Sequence, residues 1–295
     1  RHPDYDSVAA CLLMQQFLKQ CGINAQICLY GKMDAHSATV LQKQGYNPEA
    51  LFSPVPKNAV LILCDCHTTT QPGKVVACAD HHPVIDAPDI PVYLNRSASS
   101  AGRIVYQEAV TYGLQTNRET DFLALASVYM DTRACRSTKF QAADKPWIIE
   151  TAARRSFHLP DLERDGLCLT DFTQPVDILA QNDVRAYTFG KYRIASSYVQ
   201  AEREEAVPIG ELLECCKTAC CSGAYDYWVF LCYLPLEKIT DIYLFNRDKN
   251  AWNKTRHTGI LSRGNDVIPA LEHMLIERKD CKAIIMQELQ IDSFT

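Results

Sequence analysis

The sequence lacks any long hydrophobic run. Its most apolar stretches, such as residues 58–64, are strand-sized, whereas a membrane-spanning helix needs roughly 18 to 20 apolar residues. It also lacks an excess of basic residues, because 30 Lys and Arg stand against 35 Asp and Glu, for a formal net charge of −5. Binding a long nucleic acid requires clustered basic residues that neutralise many phosphates. We therefore expect neither a membrane nor a long nucleic acid as a partner.

No secretory signal opens the chain, and its 14 cysteines are scattered over 295 residues. This is not the pattern of a small disulfide-bonded protein, so we expect reduced thiols and a cytoplasmic protein. The cluster Cys215, Cys216, Cys220 and Cys221 lacks the usual C-x-x-C spacing and lies in a predicted helix, which disfavours a zinc site. Because the chain starts at Arg1 with a motif already under way, we expect a few residues to precede it.

The first half of the chain alternates short β-rich runs with helical patterns. Helices are predicted at residues 7–20, 36–43, 99–112 and 119–129, and strands at 25–30, 60–64, 75–79 and 92–94. Alternation of this kind is typical of a doubly wound α/β domain with a mostly parallel sheet.

The second half reads as a smaller α/β domain. A change of composition at residues 169–182 predicts a linker. Strands are predicted from 187, at 192–199, 227–234 and 239–245, and helices at 209–221 and 267–277. No internal repeat or low-complexity tract is present. The predicted domains are residues 1–175 and 183–295.

Acidic and histidine side chains stand where a parallel sheet places its sites, at the predicted carboxyl ends of strands. They are Asp4 and Asp6 before the first helix, Asp65 after the strand at 60–64, the run Asp80-His81-His82 after the strand at 75–79, and Asp131 after residues 124–130, which are predicted to be helical or extended. Each has a simpler explanation taken alone: Asp6 or Ser7 could cap a helix, and the others could belong to turns or loops. Their occurrence together in one domain favours a metal site.

These motifs resemble, in order and spacing, the four signature motifs of the DHH phosphoesterase superfamily. The resemblance is carried by His2-Pro3-Asp4-Tyr5-Asp6-Ser7, Asp65, Asp80-His81-His82 and Asp131-Thr132. The segment after the last motif, with Arg136-Ser137-Thr138 and Asp144, resembles the manganese-dependent family II inorganic pyrophosphatases. Residues 258–269 resemble the Ser-Arg-Lys segment of their C-terminal DHHA2 domain. Nothing resembles the DHHA1 signature of oligonucleotide-cleaving relatives, which favours small phosphoanhydrides as substrates.

The resemblance implies a role for each residue. Asp4 would bind one metal and Asp6 the other, Asp65 would bridge them, and His81 and Asp131 would complete the second site. His82 would face the substrate as a hydrogen-bond donor or acid. Two Mn²⁺ ions would supply charge neutralisation and an activated water, with Mg²⁺ as a further ion on the substrate.

The sequence departs from the family pattern at several positions. The resemblance places one metal-binding histidine before Arg1, and His2 stands where the pyrophosphatases usually have Asn. Arg185 replaces a lysine of the second domain, and Gly264 replaces the Lys of Ser-Arg-Lys. We expect the second domain to close about the linker and bring Arg185 and Arg263 to the substrate, unless Arg263 is only a solvated arginine at a helix start. Arg136 and Lys139 are weaker candidates for substrate contact.

The sequence thus predicts a hydrolase of a small phosphoanhydride, with inorganic pyrophosphate as the first choice. Two alternatives stay open. One is an exopolyphosphatase or nucleotide phosphodiesterase with the same metal centre, and the other is a non-catalytic protein that binds phosphate or a nucleotide as a regulator. The sequence does not decide the oligomeric state, and a homodimer is the assembly we consider.

Overall fold

The computed structural model describes residues 3–84, 89–181, 183–257, 262–263 and 266–267. The chain divides into two compact units. Unit 1 comprises Arg1–Cys135 and Lys139–Cys168, and unit 2 comprises Arg136–Thr138 and Leu169–Thr295. Each unit has its own sheet and its own helices, so the predicted class, two α/β parts with a parallel sheet in the first, is confirmed.

The sheet of unit 1 consists of three parallel strands in the order β1-β2-β3. Its strands are β1 (Val60–Cys64), β2 (Lys74–Asp80) and β3 (Val92–Asn95). Cys64 pairs with Ala79, and Asp80 pairs with Asn95. Because parallel strands end at the same edge, the residues that follow β1 and β2 lie side by side.

Helices make up most of the rest of unit 1. They are α1 (Tyr5–Gln20), α2 (Ala35–Lys43), α3 (Ala101–Thr111), α4 (Arg118–Asp131), α5 (Lys145–Arg155) and α6 (Leu159–Gly166). Helices α1, α3 and α4 pack against one another. Apolar residues of α1 recur at helical spacing and are buried in this core, among them Leu13 and Phe17. Burying each such side chain contributes about 1.5 to 3 kcal/mol.

One prediction for unit 1 was wrong. Residues 25–30 do not form a strand, since the only ladder contact in this described stretch is a single bridge from Leu29 to Phe52. A strand is stabilised by a continuous ladder, which one bridge does not supply. Residues 124–130, expected to be helical or extended, are helical. Asp131 is the last residue of this helix, α4.

Unit 2 contains a mixed five-stranded sheet in the order β4-β5-β6-β7-β8. Its strands are β4 (Arg185–Phe189), β5 (Tyr192–Gln200), β6 (Tyr227–Leu234), β7 (Ile239–Asn246) and β8 (Ala251–His257), and a short hairpin follows with β9 (Ser262–Arg263) and β10 (Asp266–Val267). One face packs against the helices α7 (Val176–Ala180) and α8 (Ile209–Ser222).

The segment predicted as a linker, residues 169–182, contains α7. Leu179 and Ala180 of this helix are buried in the core of unit 2. The segment therefore takes part in the packing of that unit. Apart from β9 and β10, the predicted helix 267–277 and the segment 258–269 lie outside the described residues, as does His2.

The 13 cysteines within the described part of the chain are thiols and not members of disulfides. On α8, Cys216 and Cys220 are buried in the core, whereas Cys221 is exposed. Burial raises the pKa of the Cys216 thiol to about 12, which makes it a poor metal ligand or nucleophile. Within the described ranges, no helix is both long and apolar enough to cross a membrane.

Candidate metal centre

Six side chains named by the sequence motifs meet at the carboxyl edge of the parallel sheet. They are Asp4, Asp6, Asp65, His81, His82 and Asp131. The Nε2 atom of His81 lies at their centre. It is 3.4 Å from Asp65 Oδ1, 3.6 Å from Asp131 Oδ2 and 3.7 Å from Asp6 Oδ2.

Asp4 and Asp6 are positioned by two different helices. Asp4 is the N-cap of α1, because its Oδ1 accepts a hydrogen bond of 3.0 Å from the Ser7 amide. Neither Asp6 nor Ser7, which the simpler explanation of this motif named as caps, occupies the cap position. The Asp6 carboxylate instead accepts hydrogen bonds from the Ala101 and Gly102 amides at the start of α3, at 2.7 and 2.9 Å. Helix starts favour negative charge, so α3 fixes the orientation of Asp6.

Asp65 follows β1 in a left-handed backbone conformation, with φ of 59°. Aspartate tolerates this region better than most residues. The Asp65 amide donates to Ala79 O at 2.8 Å, which continues the parallel ladder by one residue. The Ser7 hydroxyl donates to Asp65 Oδ2 at 2.6 Å. These contacts leave Asp65 Oδ1 facing His81.

The backbone selects which nitrogen of His81 faces the cluster. His81 Nδ1 lies 3.1 Å from the carbonyl oxygen of Ala98 and must donate to it, since a carbonyl only accepts. Nε2 then points at the three carboxylates. A second hydrogen bond of this kind is the usual way in which proteins orient a metal-binding histidine.

Asp80 and His67 support the site, and the sequence motifs assigned a role to neither residue. Asp80 is fully buried, and it accepts hydrogen bonds from His82 Nδ1 at 2.7 Å and His67 Nδ1 at 2.6 Å. Although burial alone raises the pKa of Asp80, the hydrogen bonds from His82 and His67 outweigh it and hold the pKa well below the usual range. Because Nδ1 of His82 is engaged with Asp80, only Nε2 of His82 is left for an ion or a substrate.

Asp131 ends α4 and forms a salt bridge with Lys139. Burial raises the pKa of Asp131, but the charges of Lys139 and His81 outweigh burial and lower it. The chain then makes a turn in which Arg133, Ala134 and Cys135 all have positive φ, between 52° and 62°. Non-glycine residues rarely adopt this conformation, and such strained turns concentrate at functional sites.

The cluster of carboxylates changes the protonation of its members. The dense protein surroundings, together with the charges of Asp65 and Asp131, raise the pKa of Asp4 to about 6, although solvent reaches part of its side chain. Burial and the charge of Asp65 raise the pKa of Asp6 well above the usual range. Burial lowers the pKa of His81, but the contact of its Nε2 with Asp65 and the charges of the surrounding carboxylates outweigh burial and raise the pKa to about 10. Closely packed carboxylates need a cation to remain ionised.

Two buried oxygens indicate where a cation fits. Asp65 Oδ1 and Asp131 Oδ2 have no hydrogen-bond partner, which is costly for a carboxylate unless an ion satisfies it. Two groups of metal-binding side chains are present. In each group the donor atoms lie within 4.8 Å of one another, and the groups are Asp65 with His81 and His82, and Asp6 with His81 and Asp131. Their carboxylate and imidazole donors suit a transition metal such as manganese or zinc. The residues therefore fit a metal centre, with His81 serving one ion through its single free nitrogen.

The amino acids of this region also match a known family. Residues 1–130 match the family described as "DHH family, N-terminal domain". The candidate metal centre lies in this domain together with Asp131, which follows it directly.

Two relatives extend the comparison beyond the DHH domain. The chain is 24% identical over 202 residues to the "Probable manganese-dependent inorganic pyrophosphatase" of Deinococcus radiodurans, and the match covers 64% of each chain. The chain thus spans less than two thirds of that relative. A crystal structure of a "putative family II inorganic pyrophosphatase" from Methanococcus jannaschii has a similar fold, with a TM-score of 0.68 at 18% identity over 91% of this chain and 95% of that chain.

Of the basic residues predicted to contact a substrate, Arg185 and Arg263 belong to unit 2, and Lys139 belongs to unit 1. Arg185 is an exposed residue of unit 2, and its Nε lies 3.5 Å from Asp183 Oδ1. Arg263 belongs to β9 of unit 2, and its side chain lies outside the described part of the structure. Lys139 neutralises Asp131. A role of Arg185 and Arg263 in binding a substrate stays a prediction.

Manganese should stabilise the DHH domain more at pH 8 than at pH 5. The pKa of Asp4 is about 6 in the folded protein and about 3.9 in an unfolded chain, so the folded state holds more protons and loses stability as the pH rises from about 4 to 6. His81 has a pKa of about 10 in the folded protein and about 6.5 in an unfolded chain. Its contribution to the stability of the folded state is therefore lost as the pH rises from about 6.5 to 10. A bound metal replaces these protons.

Thermal denaturation with EDTA or with Mn²⁺ at both pH values tests this expectation. At a free Mn²⁺ concentration about 100 times the Kd, the metal should add about 2.7 kcal/mol to the free energy of unfolding at pH 8. An equal gain at the two pH values would contradict proton displacement from the site.

Proposed function

We propose that this protein is a metal-dependent hydrolase of a small phosphoanhydride, most simply inorganic pyrophosphate, which it would convert to two phosphates. The observation that carries the proposal is the pair of buried, unpartnered oxygens of Asp65 and Asp131 beside His81 Nε2. These atoms belong to two overlapping sets of metal donors.

The chain's own residues would perform distinct tasks. Asp4, Asp6, Asp65, His81 and Asp131 would hold the metals. Two bound ions would lower the pKa of a shared water and stabilise the attacking and leaving oxygens of an in-line displacement. The His82 side chain is 42% exposed, against 6% for His81, so it is the histidine that a substrate can reach. With Nδ1–H held by Asp80, the neutral His82 ring offers Nε2 as an acceptor, and only the form protonated on both nitrogens would donate a proton or a hydrogen bond from Nε2 to a phosphate oxygen.

Manganese is the metal that we propose, with two ions per site and Mg²⁺ as a further ion on the substrate. Mixed carboxylate and imidazole donors suit Mn²⁺ better than a thiolate-rich site would. The Deinococcus relative is named as manganese-dependent, which supports the same choice. A metal centre of this kind would bind a small anionic substrate. The assembly that we propose is a homodimer.

A substrate other than pyrophosphate is favoured by one observation. Gly264 stands where the resembling enzymes carry a lysine, and Arg185 stands in place of another. Losing one cation next to a highly charged phosphoanhydride costs on the order of 3 kcal/mol of transition-state stabilisation. An exopolyphosphatase or a nucleotide phosphodiesterase activity is therefore the second candidate.

A substrate panel with defined metals tests the proposal. The protein, stripped with EDTA and reloaded with Mn²⁺, Mg²⁺ or Zn²⁺, would be given pyrophosphate, tripolyphosphate, long-chain polyphosphate and a cyclic dinucleotide. We expect Mn²⁺-dependent phosphate release that is fastest with pyrophosphate. Faster hydrolysis of a polyphosphate or of the cyclic dinucleotide would instead favour an exopolyphosphatase or a nucleotide phosphodiesterase.

The control for this panel is an Asp131→Asn variant purified in the same way, which should release no phosphate above background. Binding of a nucleotide or phosphate without turnover of any substrate would instead identify a non-catalytic regulator and overturn the proposal.

A further inference from the structure

His67 lies in the loop after β1, and its side chain is only 16% exposed. Its Nδ1 atom is 2.6 Å from Asp80 Oδ2. No sequence motif singled it out, because a lone histidine in a loop is common. The parallel pairing of β1 with β2 brings its loop next to the end of β2, where Asp80 stands.

Asp80 uses its two oxygens for two separate tasks. Oδ1 accepts from His82 Nδ1 at 2.7 Å and from the amides of His81 and His82 at 2.9 and 3.2 Å. Oδ2 accepts from His67. Asp80 is fully buried, and its Oδ1 accepts from two backbone amides as well as from His82, which is the pattern of an ionised carboxylate. Asp80 therefore acts as an acceptor, and both histidines donate to it through Nδ1.

This arrangement makes the orientation of His82 depend on His67. If the His67 imidazole were absent, Asp80 Oδ2 would be a buried charged oxygen without its partner, which is costly. The carboxylate would then turn to find another donor or admit water. Either change alters the acceptor that fixes the tautomer of His82.

We propose that His67 is a positioning residue, which acts through Asp80 to keep Nδ1 of His82 protonated and Nε2 directed toward a bound phosphoanhydride. This inference rests on the proposed function for its catalytic consequence. The hydrogen-bond chain from His67 to His82 does not depend on it, and it can be tested without a metal or a substrate.

The experiment compares three variants with the wild-type protein. His67→Ala removes the donor, His67→Asn returns an N–H near the position of Nδ1, and His158→Ala replaces an exposed histidine of the same unit. Steady-state hydrolysis of pyrophosphate with Mn²⁺ gives kcat and KM, and titration with Mn²⁺ gives the metal affinity. NMR of isotope-labelled imidazoles in the metal-free protein gives the tautomer of His82.

We expect His67→Ala to lower kcat about tenfold, as loss of a partner behind a functional histidine commonly does. The KM and the Mn²⁺ affinity should stay within about twofold, because the metal ligands keep their own hydrogen bonds. His82 should change from the Nδ1–H tautomer to a mixture. His67→Asn should recover most of the rate and the tautomer, and His158→Ala should match the wild type.

An unchanged His82 tautomer in His67→Ala would overturn the inference, whatever happens to the rate. So would equal loss of rate in His67→Ala and His67→Asn. If the wild-type protein hydrolyses none of the substrates, the proposed function fails, and the tautomer comparison alone then decides the positioning role.

Discussion

Replacing Asp65 by Asn should reduce Mn²⁺-dependent turnover by at least about 10²- to 10³-fold, the scale of losing one preorganised electrostatic group at a reaction centre. Asp65 is buried, and its Oδ1 has no hydrogen-bond partner, so it is free to bind the ion that we expect there. Asn is the suitable replacement because it tolerates the left-handed backbone at this position. It can also still accept the hydrogen bond from Ser7.

The same substitution should leave the fold intact. With metal removed, the neutral amide relieves repulsion among the clustered carboxylates, so the melting temperature in EDTA should equal or exceed that of the wild type. The stabilisation by Mn²⁺ should be lost. Phosphate release and thermal denaturation measure the two effects, with Asp89→Asn, a change at an exposed aspartate, as the matched control. An Asp65→Asn protein with normal turnover would rule out the two-metal mechanism.

The second large effect is expected for Gly102→Ala, at the start of α3. A Cβ atom there would lie 2.5 Å from Ser127 Oγ, 2.9 Å from Ser127 Cβ and 3.3 Å from Asp6 Oδ1. Ser127 is buried and hydrogen-bonded to Ser100 and Ala124, so it cannot turn away without losing those bonds. The helices α3 and α4 would have to separate, at a cost of about 1 to 3 kcal/mol in the free energy of unfolding.

Metal affinity should fall with stability in Gly102→Ala, because the Gly102 amide holds the Asp6 carboxylate. Chemical denaturation and titration with Mn²⁺ measure the two quantities. The control is Gly210→Ala in α8, where an added Cβ meets no atom within 4 Å. Alanine should be neutral there or stabilising by up to about 1 kcal/mol. If both variants unfolded at the same denaturant concentration, the close packing at Gly102 would be disproved.

Several elements of the fold could be predicted because their signals are local. The strands β1 and β6 were predicted with the observed bounds, since each is a continuous apolar run. The segment before Asp131 could be interpreted as helical or extended because residues 123–130 of α4 are all buried. A helix that is apolar on every side loses the 3.6-residue periodicity by which helices are detected.

Other features depend on contacts between distant parts of the chain. Residues 25–30 have the composition of a strand, but composition cannot supply a neighbouring ladder. The motif residues of the metal centre were found because their side chains are themselves the signal. His67 was missed because its partner, Asp80, is 13 residues away, and only the pairing of β1 with β2 makes them neighbours.

The contact of Asp6 with α3 joins the proposed metal centre to the packing of a helix at one side chain. The carboxylate that faces His81 also satisfies two backbone amides that would otherwise be without partners at the buried start of α3. Replacing Asp6 by Ala would therefore remove two hydrogen-bond acceptors of that helix and a proposed metal donor in the same step. Inactivity of such a variant would not distinguish a lost ion from a loosened helix, which makes Asp6 a poor probe of mechanism despite its central position.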